Sequence, residues 1–137
     1  MDVTAFAMAT TVRCDDPRGL IAWLDDAFGF EARVVVEDDD GGVRHAQLMR
    51  GDVMVMVSPD QDDALGAVQS TPQKLGGVTQ SPYIFSDDVD ALAERARAAG
   101  AEMVMEPRDE PYGGRHFTCR DPQGHLWNFG SYNPLAD

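Results

Sequence analysis

Two stretches carry the plan of this chain: Asp15–Glu37, DDPRGLIAWLDDAFGFEARVVVE, and Asp87–Glu106, DDVDALAERARAAGAEMVME. In the first, Asp15-Asp16 supply an N-cap, Pro17 takes the first helical position, and Gly29 supplies a stop. Between them Leu20, Ile21, Leu24, Ala27 and Phe28 fall at helical spacing, and the β-branched run up to Glu37 reads as a strand. The second stretch repeats this plan: Asp87-Asp88 cap a helix, Val89, Leu92, Ala96 and Ala99 share one face, Gly100 stops it, and Glu102–Glu106 follow as a strand. Gly29 and Gly100 stand 71 residues apart, and the same offset aligns Arg44-His45 with Arg115-His116, each pair just after two glycines. The chain is an internal duplication.

To either side, each copy gains an opening strand (Met8–Cys14, Tyr83–Ser86) and a closing strand (Val53–Ser58, Leu126–Ser131). The second copy adds two residues in the turn Asp121-Pro122-Gln123-Gly124, whose proline and glycine suit a tight β-turn. Each copy therefore reads β-α-β-β-β. Module one covers about residues 5–58, a linker 59–80 and module two about 81–132, all within a single domain spanning 1–137. The expected class is α+β: two βαβββ modules forming a curved mixed sheet around a cavity, with the helices on the outer face. One such unit buries too little surface to stand alone, so the copies either share a sheet within the chain or exchange across a dimer.

With 24 acidic against 11 basic residues the net charge is −13, which opposes binding to nucleic acid or an anionic membrane. There is no apolar run long enough to span a bilayer, and the N-terminus lacks the basic start and apolar stretch of a secretory leader, so a cytoplasmic location is expected. Cys14 and Cys119 read as reduced, partly buried thiols. The acidic runs Glu37–Asp40 and Asp60–Asp63 read as solvated turns.

Trp23–Phe30 at the end of the first helix, Tyr112-Gly-Gly-Arg115, and Asp121–Gly130 (DPQGHLWNFG) together resemble the vicinal oxygen chelate superfamily. That family includes glyoxalase I, the extradiol dioxygenases and the bleomycin-resistance proteins, and the last of these motifs is most similar to its bleomycin-resistance-like and PhnB-like branch. The resemblance implies a curved eight-stranded arrangement and a homodimer. In the family's metalloenzymes it also implies four ligands, usually His or Gln, Glu, His and Glu, on the first and last strands of each module. Here the opening strand offers Met8, Ala9 or Thr10, Val53–Val57 carries no carboxylate beyond Asp52 at its entrance, Ser81-Pro82-Tyr83 stands near the third position with Gln80 one residue earlier, and Asn128 stands at the fourth. No metal set assembles, and no cofactor is expected.

If Asn128 faces the cavity as the family's Glu does, alternation turns Trp127 and Phe129 to the helix side and places His116 and Thr118 on the cavity face, with His45 and Gln47 their counterparts in module one. Tyr83 and Tyr112 are stacking surfaces, and Arg115 either meets an acidic ligand group or pairs with a carboxylate. The candidate ligand-binding set is therefore His45, Gln47, Tyr83, Tyr112, Arg115, His116, Thr118 and Asn128, with His45 and His116 the candidate acid–base groups. The leading expectation is a metal-free dimer that sequesters or carries a small aromatic or cationic compound. The alternative is a lyase, isomerase or dioxygenase-type enzyme of the same superfamily, with histidine acid–base chemistry or a non-standard zinc, manganese, nickel or iron site drawn from His45, His116, Gln80 or Asp52. An interaction module with a vestigial cavity is the third class.

Overall fold

A computed structural model describes residues 5–136; the leader reading at residues 1–4 lies outside the described residues. The order is β1 (Ala9–Cys14), α1 (Pro17–Phe28), β2 (Glu31–Glu37), β3 (Val43–Arg50), β4 (Val53–Pro59), α2 (Pro72–Leu75), β5 (Tyr83–Phe85), α3 (Val89–Ala98), β6 (Glu102–Asp109), β7 (Arg115–Arg120) and β8 (Leu126–Gly130). The duplicated βαβββ plan is present, with the short α2 added inside the linker.

The caps act as the sequence requires. The Asp16 carboxylate accepts the Gly19 N–H at 3.1 Å, and Gly29 ends α1 at φ 74°, a left-handed value that costs glycine least. Asp88 accepts the Ala91 N–H at 3.1 Å at the start of α3. The strands form two four-stranded mixed sheets, ordered β1-β4-β3-β2 and β5-β8-β7-β6, in which only the β1–β4 and β5–β8 pairs are parallel. The modules therefore do not share a hydrogen-bonded sheet within the chain.

They join through the helix-covered faces. Val12, Cys14, Ala46, Leu48, Val55 and Val57 of the first sheet and Phe117, Cys119, Trp127 and Phe129 of the second are buried in one apolar cluster with both helices. Phe28, at the end of α1, reaches across, its ring centroid 5.4 Å from that of Trp127 and 4.7 Å from that of Phe129. Trp23 Nε1 donates to Ala99 O at 2.8 Å, and Arg95 of α3 donates to Asp25 O and Asp26 O, serving the electronegative end of α1.

Two turns hold the ends. Asp121 is buried and accepts from Gln123 N, His125 N and Trp127 Nε1 at 2.8, 3.1 and 2.9 Å; burial pushes its carboxyl group up from the ordinary value. His125 Nε2 lies 2.7 Å from Arg13 O, a structural contact between modules. The expectation that Asp60–Asp63 is wholly solvated is corrected. The buried Arg13 needs counter-charge, so Asp63 accepts its Nη2 at 3.1 Å and Asp60 lies 3.9 Å from its Nε. Asp60, whose side chain is 8% exposed, also takes Lys74 Nζ at 2.6 Å and Ser70 Oγ at 2.8 Å.

Truncating Phe28 empties the junction of both modules, so Phe28→Ala is expected to cost about 3–5 kcal/mol in denaturant unfolding, with a single transition retained. The Lys74 and Ser70 hydrogen bonds hold Asp60 below its ordinary 3.8, and those from Gln61 and the Gly66 N–H do the same for Asp63. Their stabilisation is present above that value and is lost as pH falls through the lower folded one. Acid titration followed by hydrogen exchange is therefore expected to release residues 60–74 in wild type, and to show a smaller acid effect in Asp60→Asn.

Candidate functional site

Each sheet turns one face to the helices and leaves the other open. On β8, Trp127 and Phe129 enter the core, so Asn128 points to the open face, as alternation requires. The register then lays Tyr83, Asn128 and Thr118 side by side across β5, β8 and β7, with Met105 of β6 opposite Thr118. Two residues back along β7, His116 lies opposite Gly130 on β8 and Arg108 on β6.

A polar chain locks this face. Asn128 Nδ2 donates to Ser81 Oγ at 2.8 Å and to Pro82 O at 2.9 Å, while its Oδ1 accepts the Thr118 hydroxyl at 2.8 Å. Thr118 Oγ1 lies 3.2 Å from His116 Nε2, and His116 Nδ1 is 3.6 Å from Glu110 Oε1, an oxygen that also receives Arg108 Nε at 3.1 Å. Tyr83 lies parallel to the His116 ring, 7° between planes and 6.4 Å between centroids. Its hydroxyl donates to Tyr132 O at 2.6 Å, and desolvation together with Tyr112 and Tyr132 pushes the phenol pKa up, so it remains a donor. Tyr112 meets Tyr132 edge-on at 5.6 Å. Tyr83 thus stacks beside His116, and its bond to Tyr132 O and the Tyr112–Tyr132 edge contact connect the three tyrosines in series.

Module one presents a different open face. Thr11, Met56, Gln47 and Val34 form one row, and Ala9, Met54, Met49 and Glu31 the next. Gln47 Nε2 donates to His45 Nε2 at 3.1 Å. His45 and His116 therefore lie on separate sheets of the chain. Arg115 is committed elsewhere: its guanidinium pairs with Asp109 at 3.1 Å and Asp90 at 3.0 Å and donates to Pro107 O. Tyr112 is exposed on the β6–β7 turn, where Gly113 and Gly114 both take positive φ. Two clefts of about 380 and 350 Å³ lie elsewhere and include none of the eight candidate residues.

Glu110 and Tyr132 join the site without having been singled out from sequence, and Ser81, noted only as lying near a metal-ligand position, joins it through Asn128. For Glu110 a signal existed, because a hairpin closing at Gly113-Gly114 folds residue 110 back beside the start of β7. For Tyr132, beyond the last strand, none did.

The positions that hold metal in the family's enzymes do not fit an ion here. Of Met8, Ala9 and Thr10, only Ala9 shares the open face, since Thr10 has the parity of buried Val12. Met54 and Met56 occupy that face of β4, and Asn128 Oδ1 is taken by Thr118. Among the described residues no three His, Cys, Asp or Glu side chains converge as a metal site. Cys14 and Cys119 are free and buried, and desolvation is the largest cause pushing each thiol up to about 12. No described helix is long and apolar enough to cross a membrane.

A family model for the glyoxalase/bleomycin resistance protein/dioxygenase superfamily matches residues 7–129. The chain belongs to this superfamily. Uncharacterized protein Rv0887c of Mycobacterium tuberculosis is 32% identical over 124 residues, covering 90% of this chain and 73% of that protein. Among solved structures, TioX from Micromonospora sp. ML1 is similar at a TM-score of 0.73 and 29% identity, over 93% of this chain and 100% of that one. A point mutant of the fosfomycin resistance protein FosX from Listeria monocytogenes, complexed with Mn(II) and 1S,2S-dihydroxypropylphosphonic acid, shares the superfamily fold at a TM-score of 0.69. It is 17% identical over 96% of this chain and 94% of that one.

The geometry leads to two tests. The Tyr83 ring lies across Gly130, where an added Cβ would come within 2.8 Å of ring carbons, so Gly130→Ala is expected to displace Tyr83. The Tyr83 ring signals in an aromatic NMR spectrum should shift while those of Trp127 hold. Both thiols should resist a neutral thiol reagent in the native protein and react only on unfolding, which a colorimetric thiol count with and without denaturant checks.

Proposed function

We propose that this protein is a metal-free member of its superfamily that binds a small planar aromatic compound, cationic or neutral, and sequesters or carries it without bond chemistry. The carrying observation is a series of three tyrosines, Tyr83 on the open sheet face beside His116 and then Tyr132 and Tyr112 at its edge, next to polar groups already tied to one another. Aromatic faces of this kind stack on flat ligands, and the −13 charge attracts cations. The fully engaged Asn128 supports the metal-free part of the reading, and so does the apolar Met54 and Met56 pair where a carboxylate would serve an ion.

The functional form is a homodimer. Tyr83, Phe85, Val34, Val36 and Val104 are exposed in the single chain, apolar sheet surface that a second copy would cover. The open methionine face of module one and the tyrosine face of module two are complementary walls for a flat guest. Such a binder, of the bleomycin-resistance-like or PhnB-like kind, would protect a cell from a toxic aromatic compound by holding it.

The enzymatic alternative rests on the His116–Glu110 pair. Against it, His116 Nε2 faces Thr118 and Nδ1 is buried, so neither ring nitrogen is free toward the open face. One experiment separates the readings. Chelator-stripped protein is titrated with 9-aminoacridine, a planar fluorescent cation, and in parallel by calorimetry with Zn²⁺, Mn²⁺, Ni²⁺ and Fe²⁺. Saturable dye binding without metal, weakened at least tenfold in Tyr83→Ala, is expected. Stoichiometric metal binding that His45→Ala or His116→Ala abolishes, or dye binding indifferent to Tyr83, overturns the proposal.

A further inference from the structure

The hydrogen bonds of the tyrosine face determine where the protons sit. Pro82 O can only accept, so the Asn128 atom 2.9 Å from it is the amide nitrogen, and Oδ1 is the atom facing Thr118. The single Thr118 hydroxyl proton goes to that oxygen. Thr118 Oγ1 is then an acceptor toward His116, so His116 Nε2 carries a proton. In the neutral imidazole Nδ1 is consequently bare, buried without a partner, and aimed at Glu110 Oε1 across 3.6 Å. That separation lies beyond a hydrogen bond but within reach of an ion pair.

One proton removes the conflict. Taken from solvent onto Nδ1, it makes His116 an imidazolium whose new N–H donates to the Glu110 carboxylate; released to solvent, it leaves two acceptors opposed. The titratable and charged groups around His116 are Glu110 and Arg108 from β6 and its turn and Tyr83 from β5, with Tyr112 and Tyr132 beyond. β8 contributes only Gly130 directly opposite. On its own strand, Arg115 is tied to Asp109 and Asp90. Arg108 binds the same Glu110 oxygen but sits two residues away, so it ties the carboxylate to its own segment and not to β7.

We infer that His116 and Glu110 form a proton-operated clasp that draws the 110–114 turn, and with it Tyr112, onto the tyrosine face of module two. Protonation joins β7 to the turn, and deprotonation loosens it. The turn closes on itself through Glu110 N–H to Gly114 O at 2.9 Å and Gly113 N–H to Glu110 O at 3.0 Å, and these two amides report its closure. The link from clasp to ligand rests on the aromatic-binding reading above, through Tyr112. The clasp itself needs no ligand and is tested without one.

The test combines nitrogen-15 NMR of the histidine rings with hydrogen exchange of the Glu110 and Gly113 amides at about pH 5.5 and about pH 8. The wild-type protein at the higher pH is expected to show His116 with its proton on Nε2. Amide protection, corrected for intrinsic exchange, should fall at least threefold from the lower to the higher pH. In Glu110→Gln the side-chain amide donates to neutral Nδ1, so protection is expected to lose that pH dependence. A proton on Nδ1 at the higher pH, pH-independent protection in wild type, or an equal fall in Glu110→Gln overturns the clasp. The first two readouts need no variant. Failure of 9-aminoacridine to bind, with these outcomes intact, would remove the aromatic-binding proposal and leave the clasp standing.

Discussion

Phe28 is the residue on which the two halves of this molecule depend. It closes α1 of the first module and packs between Trp127 and Phe129 of the last strand of the second, so neither module completes its core without the other. Burial of one large aromatic is worth a few kcal/mol, a large share of the margin by which a domain of this size is stable. Because this junction lies on the helix-covered side, the two sheets use one face each for folding and leave the other open. The buried Asp121 reinforces the arrangement: its carboxylate holds the indole of Trp127 in the orientation that meets Phe28.

Duplication produced two modules with the same topology and different open faces. Corresponding positions carry His45 and His116, yet one imidazole accepts from the Gln47 amide, while the other sits in a chain running from Ser81 and Pro82 through Asn128 and Thr118 to Glu110. Polar chains of this kind are rigid when every member is satisfied and responsive when one is not. Here the unsatisfied member is His116 Nδ1, beneath the aromatic surface. Where metalloenzymes of the superfamily use ligand side chains to hold an ion, this chain uses an asparagine to hold its own backbone and a threonine.

The fold was legible because its signals are local and occur twice. Asp16 and Gly29 bracket α1, Asp88 caps α3, and both strand sets follow at one offset, so the βαβββ plan needed no knowledge of distant contacts. Alternation along β8 also placed Asn128 opposite Trp127 and Phe129, as found. The linker was less legible: a run of aspartates looks solvated until the buried Arg13, nearly fifty residues earlier, is seen to require two of them. Tyr132 was hidden for a similar reason, since it reaches the site from beyond the last strand, whereas Glu110 was signalled only indirectly by the hairpin that closes at Gly113-Gly114.

Residue type and spacing along the chain were enough to establish the repeat, the caps, the side of each strand that enters the core and the surplus of negative charge, because each of these is a local or a summed property. Folding in three dimensions was needed to settle that the sheets remain separate within one chain, that Arg115 is tied to Asp90 and Asp109, and that Tyr83 lies against His116 with Tyr132 and Tyr112 connected in series beyond it. Those outcomes depend on which strands lie side by side and in what register, and a hydrogen-bond partner set by register is invisible until the strands are paired.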